Sequence, residues 1–384
     1  MKKIYLDNAA TTAIHPKVIE KMIPFMKENY GNPSSIHSFG RNVRVALEEA
    51  RELIANFINA DSGEIYFTSG GTEANNFALN GISNGDRKDR RRNKIISSPI
   101  EHHCILDYTK LLSNTGFQIS LIENGKDFSI NKENLKEELT DEVSLAAFMF
   151  VNNEVGSINE IKSLASIAKE NDTFFHTDSV QAFGKIKIDV KELGVDSLAA
   201  SSHKIAGPKG AGFLYAKSGT PLEPLIIGGS QERNRRGGTE NTLAIIGFAE
   251  AVRLLQDKIE ENYIYVTKLR DYFRSNLLSN ISDIKINKPS NEFPFILNFS
   301  FDNHIYNNDS EAMLMYLDLN GVAVSTGAAC TSGTLKPSHV LLNSGFDYEE
   351  AKGTIRISFS PFNTIEDLDY ALEVFYKLSQ NFKK

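Results

Sequence analysis

The sequence predicts an α/β fold: a mostly parallel large-domain sheet with helices on both faces, joined to a smaller α+β domain. Three observations lead there. Through the first two-thirds of the chain, short apolar runs alternate with amphipathic helical stretches. The runs are apolar enough to be strands buried on both faces, as a covered parallel sheet requires. After about Glu250 the alternation gives way to one long helical stretch and then to mixed strands and helices.

Taken in order, Ala46, Ala50, Leu53, Ile54, Phe57 and Ile58 recur at helical spacing from Val43 onward, and Asp61-Ser62-Gly63 ends that helix. Ile65-Tyr66-Phe67-Thr68 reads as a strand, broken by Ser69-Gly70-Gly71 before a helix from Thr72. Further strands are predicted at 94–97, 117–122, 145–151, 173–177, 197–201 and 212–216, with a helix at 161–169. The long helix runs through Tyr263 and Leu269 toward Leu278. Beyond it the pattern predicts strands at 295–301 and 355–360 and helices at 310–319 and 364–378. The predicted division is a large domain of residues 14–256 and a small domain of residues 1–13 and 257–384.

With 384 residues, 41% hydrophobic and 24% charged, the chain can bury a large core. A net charge of -7 and a pI near 5.7 do not suggest a nucleic-acid partner. The run Asp86-Arg87-Lys88-Asp89-Arg90-Arg91-Arg92 is mixed in sign and reads as a solvated loop. No secretory apolar core opens the chain and no stretch reaches membrane-spanning length, so a cytoplasmic setting without membrane contact is expected. Two cysteines, Cys104 and Cys330, make neither a disulfide scaffold nor a structural zinc site, and no metal is expected.

The chemistry centres on Ser201-Ser202-His203-Lys204 and the glycine-rich Gly207-Pro208-Lys209-Gly210-Ala211-Gly212 after it. A lysine at the end of a buried strand is shielded from water, so its pKa falls and its amine becomes a nucleophile toward an aldehyde. A surface lysine in a polar loop is the plainer alternative. Ser69-Gly70-Gly71-Thr72-Glu73 sits between a strand and a helix, where backbone N–H groups can bind an anion, although such a turn can also be empty. It lacks the spacing of a nucleotide loop. Asp178 follows an apolar strand and needs a cationic partner, either a protonated pyridine nitrogen or a neighbouring Arg or Lys. Asn152-Asn153 and Gln181 reach the same sheet edge, as does an imidazole of Glu101-His102-His103, although either histidine could be purely structural. Cys330 lies among small residues that cannot bury it, which favours a reactive thiol, whereas Cys104 beside Ile105 and Leu106 reads as core. Arg356, inside an apolar strand, calls for an anion: a substrate carboxylate or an internal acid.

Several ordered motifs then give a family resemblance over nearly the whole chain. They are Tyr5-Leu6-Asp7-Asn8-Ala9-Ala10-Thr11-Thr12, Gly31-Asn32-Pro33-Ser34-Ser35-Ile36-His37, the turn at Thr72, the stretch at Asp178 and the lysine segment. Arg236-Gly237-Gly238-Thr239-Glu240-Asn241 and the cysteine loop running on to Lys336-Pro337-Ser338-His339-Val340 complete the set. The chain resembles the cysteine desulfurases of the NifS/IscS type, group I, in the class V aminotransferase family with the type I fold of pyridoxal-phosphate-dependent transferases.

The resemblance implies pyridoxal 5'-phosphate held as a Schiff base on Lys204, with His102 against the ring, Asp178 at its nitrogen and Gln181 at its phenolic oxygen. Gly71, Thr72, Ser201 and His203 would hold the phosphate, with Thr239 reaching in from the second subunit of a homodimer. Asn8, Asn153 and Arg356 would bind L-cysteine, and Arg356 would take its carboxylate. Lys204 would serve as base, and Cys330, on a loop of about 325–336, would attack the substrate sulfur to leave a persulfide and alanine. The persulfide would pass to a protein acceptor such as an iron–sulfur scaffold or a tRNA-thiolation enzyme. The short segment after Leu378 leaves less to dock such a scaffold than the longer tail of some relatives. Ala328 stands where the family often has serine, and Phe359-Ser360-Pro361 where many members have Leu-Gly-Arg. Two alternatives share the cofactor, a selenocysteine lyase and another class V aminotransferase. A third is a non-catalytic assembly factor on the same fold.

Overall fold

The computed structural model describes residues 2–326 and 337–384, so Cys330 and most of its loop lie outside the described residues. In chain order the strands are β1 (Ile4–Tyr5), β2 (Ile65–Thr68), β3 (Lys94–Ser97), β4 (Gln118–Leu121), β5 (Val143–Met149) and β6 (Phe174–Asp178). They continue with β7 (Ser197–Ser201), β8 (Gly212–Ala216), β9 (Ile284–Ile286), β10 (Ile296–Phe301), β11 (Val322–Ala323) and β12 (Thr354–Ser358). Seven of them form one sheet in the order β2-β8-β7-β6-β5-β3-β4. Neighbours from β7 to β4 run parallel, and β8 alone is reversed, antiparallel to both β7 and β2.

Both faces of this sheet are buried, and alternate residues of one strand enter different cores. Leu145 and Ala147 of β5 pack with Phe77, Ala78 and Ile82 of α3 (Gly71–Arg90) and Ile105 of α4 (His103–Ser113). Ala146 and Phe148 point to the other core, with Leu47 and Ile54 of α2 (Ser38–Phe57) and Phe248 of the helix Thr242–Leu255. This explains the unbroken apolar runs: a strand covered by helices on both sides has no polar face.

Two small sheets lie outside the large one: antiparallel β12-β10-β9, and the parallel pair β1-β11. The N-terminal segment joins this part of the molecule, with Asp7 bridged to Ser358 of β12. The helices Ile259–Asn280 and Ile365–Phe382 pack on β10 and on each other.

Two readings of the sequence are corrected. The first predicted helix begins at Ser38 rather than Val43, because the His37 Nδ1 caps it by accepting from the Gly40 N–H at 3.3 Å. The run at Asp86 is not a solvated loop: residues through Arg90 are the last turns of α3, and the Asp86 side chain is buried. Arg90 ion-pairs with Asp86 and covers the Phe174 ring at 4.6 Å, while Arg87, Lys88 and Arg90 suit the negative end of the helix dipole. No helix among the described residues is long and apolar enough to cross a membrane.

Candidate active site

Because β2, β3, β5, β6 and β7 run the same way, Thr68, Ser97, Met149, Asp178 and Ser201 all end at one edge of the sheet. The loops leaving those ends, with Ser325 and Arg356 from the smaller part, enclose a cavity of about 530 Å³. Of the residues singled out from sequence, Gly71, Thr72, His102, Asn153, Asp178, Gln181, Ser201, His203, Lys204 and Arg356 line it. Asn8 and Thr239 do not. Asn8 spends its amide on the Ser358 carbonyl at 2.9 Å, and Thr239 is exposed on the surface.

Lys204 closes a single turn, Ser202–Lys204, that follows β7 directly. Its amine donates to the carbonyls of Ala9 and Ala10, the latter at 2.9 Å. No carboxylate among the described residues is hydrogen-bonded to it. Burial lowers its pKa to about 8, helped by the Arg356 cation and opposed by Asp178 and Asp7. His203 beside it is held neutral, its pKa lowered to about 4 by burial and then by the surrounding lysines. The Thr12 N–H and hydroxyl both donate to the His203 carbonyl, at 2.9 and 2.8 Å, so the N-terminal segment is fastened across the lysine turn.

Asp178 is the last residue of β6. Its Oδ1 accepts from the Val180 N–H at 2.9 Å and its Oδ2 from the Asn75 amide at 2.7 Å. Burial raises its carboxyl above the ordinary range, partly offset by His102, by those two donors and by Lys204. A buried carboxylate in this state gains from a cation placed against it. The His102 imidazole is the N-cap of α4, its Nδ1 accepting from the Cys104 N–H at 3.1 Å, which leaves the ring proton on Nε2. Burial lowers the His102 pKa. Cys104, expected in the core, is instead half-buried on the cavity wall, 3.2 Å from the Asn75 amide nitrogen.

At the other end of the cavity, α3 starts at Gly71, and the first turn of a helix leaves N–H groups free for an anion. Thr72 and Ser201 add hydroxyls there. The turn sits hard against the start of β8: a Cβ on Gly212 would lie 2.6 Å from the Ala200 carbonyl oxygen and 2.7 Å from the Gly70 Cα. Arg236 braces the same turn by pairing with Glu73 at 2.8 Å.

Of the two anticipated kinds of partner, Arg356 meets an internal acid, Asp7. Its Nη2 donates to Asp7 Oδ1 at 2.8 Å and its Nη1 to the Asn153 carbonyl at 2.8 Å, while Nε is buried with no partner among the described residues. Gln181 donates to the Ala9 carbonyl at 2.8 Å. Sequence reasoning missed Lys185, a buried amine 3.5 Å from the Gln181 Oε1 and lowered by burial to a pKa of about 7. It also missed Asp7, Asn75 and His176. The four-residue spacing from Gln181 to Lys185 was the only available signal for the first.

The donor set fits pyridoxal 5'-phosphate. A helix N-terminus with two hydroxyls suits a phosphate, a nucleophilic amine suits an aldehyde, and a buried acid suits a protonated ring nitrogen. A cavity of about 530 Å³ is in the range of small-molecule sites. Among the described residues, no group of three His, Cys, Asp or Glu could hold a metal ion.

The sequence profile of the class V aminotransferases matches residues 4–371. The chain is 45% identical over 383 residues to the cysteine desulfurase IscS of Dictyoglomus turgidum, covering 100% of this chain and 96% of that protein. Among solved structures, a NifS-like protein superposes with a TM-score of 0.90 at 34% identity, covering 99% of both chains. A structure described as SspA in complex with cysteine gives 0.82 at 31% identity, covering 94% of this chain and 100% of that one.

Proposed function

This chain belongs to the class V aminotransferase family and, within it, to the cysteine desulfurases, and on that premise we propose how its own residues carry the reaction. Pyridoxal 5'-phosphate, when bound, supplies an electron sink for a carbanion at the substrate Cα. Gly71, Thr72, Ser201 and His203 hold its phosphate, Lys204 its aldehyde carbon, Asp178 its ring nitrogen and Gln181 its phenolic oxygen. His102 covers the ring. The observation that carries this reading is the shared cavity, which puts an amine of pKa about 8 and a buried carboxylate beside a helix N-terminus.

Arg356, whose Nε has no partner among the described residues, takes the carboxylate of L-cysteine, with Asn153 beside it. Lys204 takes the proton from Cα as a neutral amine and later returns one to carbon. Cys330, as thiolate, bonds to the substrate sulfur while the carbon–sulfur bond breaks and its electron pair stays with carbon. L-cysteine and the enzyme thiol thus become L-alanine and an enzyme persulfide, with atoms and electrons balanced.

The exposed Thr239 completes the phosphate site of a second copy in a homodimer. The persulfide passes to a protein acceptor, an iron–sulfur scaffold or a tRNA-thiolation enzyme, in the cytoplasm. The testing experiment supplies L-cysteine and a dithiol reductant, then measures alanine and sulfide. Equal amounts from the wild type and none from Cys330→Ser with its cofactor retained are expected. Undiminished sulfide release by Cys330→Ser would exclude the persulfide route.

A further inference from the structure

Behind Asp178 runs a chain of buried polar groups to which the reaction above gives no part. His176, in the middle of β6, is fully buried, and so is Ser197, its neighbour across the sheet on β7. His176 Nδ1 lies 2.9 Å from the Ser197 hydroxyl, and Nε2 lies 2.9 Å from Asn75 Oδ1 on α3. The Asn75 amide nitrogen donates onward to Asp178 Oδ2 at 2.7 Å. Four side chains from three elements are therefore joined in one line inside the protein.

With Asp178 ionised, their hydrogen bonds run in a single direction. An ionised carboxylate only accepts, so the Asn75 NH2 group must face Asp178. Asn75 Oδ1 then faces His176 and must accept, which puts the imidazole proton on Nε2. Nδ1 is left with its lone pair and takes the Ser197 O–H. A protonated imidazole would turn a second N–H on that hydroxyl, and burial opposes it, lowering the His176 pKa to about 3. Turning the Asn75 amide over would set its carbonyl against the carboxylate, a buried mismatch that no change of imidazole tautomer relieves.

We propose that Asn75 and His176 are positioning residues of this enzyme: the one-directional chain from Ser197 holds the Asp178 carboxylate ionised and correctly turned toward the ring nitrogen of the cofactor. This rests on the functional reading above. The other groups facing Asp178 are His102 at the N-cap of α4 and Lys204 in the turn after β7, with Glu101 and Cys104 close by. All four are left intact in the variants below.

Two measurements test the chain. Nitrogen-15 NMR on the wild type labelled at histidine should show His176 with its proton on Nε2 and no titration between about pH 5 and 9, which lies above its lowered pKa. A proton on Nδ1, or a charge change in that window, would overturn the proposal whether or not the cofactor reading survives. Second, the visible band of the holoenzyme is followed against pH in His176→Leu and His176→Gln. Leucine frees the Asn75 amide, so the band midpoint should move by about one unit or more and cofactor retention should fall about tenfold. Glutamine keeps a donor toward Asn75 and should stay within about threefold of wild type. A leucine variant that loses only thermal stability, with the band midpoint and cofactor retention unchanged, would mean the chain is merely structural. A wild type with no visible band at all would sink the cofactor assignment while leaving the NMR result readable.

Discussion

Arg356 Nη2 and Asp7 Oδ1 lie 2.8 Å apart, tying β12 to the N-terminal segment in front of the cavity. Asp7 holds one side of the guanidinium and the Asn153 carbonyl another, so the group is turned before any ligand arrives, with Nε unpaired among the described residues. Charge-assisted hydrogen bonds contribute roughly 1.5–3 kcal/mol. Arg356→Lys, which keeps the charge and loses the fork, should therefore cut kcat/KM for L-cysteine about 10- to 100-fold, mainly through KM. Asp7→Asn should raise KM less, since it loosens the arginine without removing it. Steady-state kinetics check both. An unchanged KM in Arg356→Lys would move the carboxylate elsewhere.

With Lys204 as the proposed attachment point, its amine should set the pH at which the apoprotein captures the cofactor. Only the neutral amine attacks an aldehyde. With a pKa of about 8, near one molecule in ten is neutral at pH 7, against a few in ten thousand for an ordinary lysine. The capture rate by the apoprotein should rise through pH 8 and level off above it. Borohydride should then fix a pyridoxyl group on the wild type and none on Lys204→Ala. A midpoint near pH 10 would mean the site does not lower this amine.

Lys185 offers a thermodynamic test with a definite sign. Its folded pKa of about 7 lies below the value of about 10.4 in an unfolded chain. Between those values the unfolded state holds a proton that the folded state lacks, so stability from this group rises with pH across the window. Below pH 7 both states are protonated and the slope disappears. Lys185→Met should remove the rise, worth on the order of 5 kcal/mol at its limit, and should be the more stable protein near pH 7. Denaturant titrations of the two proteins at pH 6.5, 8 and 9.5 give the difference. Parallel curves would show that Lys185 finds a solvating partner.

The sheet and the ends of its strands were legible because they follow from local pattern. β7 is an apolar run ending in two serines before Lys204, and the turn at Gly70 and Gly71 interrupts another such run. What could not be read depends on contacts between distant residues. Asn75 and His176 are 101 positions apart and meet only because α3 packs across β6. Asp7 and Arg356 are separated by 349 positions. The basic end of α3 differs from its reading for a related reason: Arg90 pairs with Asp172, which follows a different helix, and stacks on the Phe174 ring. Charge counted along the chain does not show that.

The two thiols should differ sharply in reactivity. Burial pushes the Cys104 thiol far above its ordinary range, with the Asp178 charge adding to the effect, so it is not a thiolate at neutral pH. In the proposed reaction Cys330 attacks sulfur as a thiolate. Iodoacetamide at pH 7.5 should therefore label one cysteine per chain, lost in Cys330→Ala and unaffected in Cys104→Ala. Peptide mapping reads the outcome, and labelling of Cys104 at a comparable rate would contradict its burial.

Glu232 and Arg51 hold the segment that leads to Thr239. Their side chains are 2% and 5% exposed and meet through two bonds of 2.8 Å, while Glu232 also accepts the Phe67 N–H at 2.8 Å. Glu232, Arg233 and Asn234 have φ of 42°, 56° and 61°, a left-handed stretch that non-glycine residues adopt only under constraint. Arg51→Met removes one partner and leaves a buried carboxylate, which should cost about 3–5 kcal/mol. The double variant Arg51→Met/Glu232→Gln removes the charge and should recover part of the loss. Since the proposed homodimer uses Thr239, downstream of this strained stretch, the single variant should also weaken self-association, measured by sedimentation. A destabilised variant that associates as tightly as wild type would separate the ion pair from the proposed dimer.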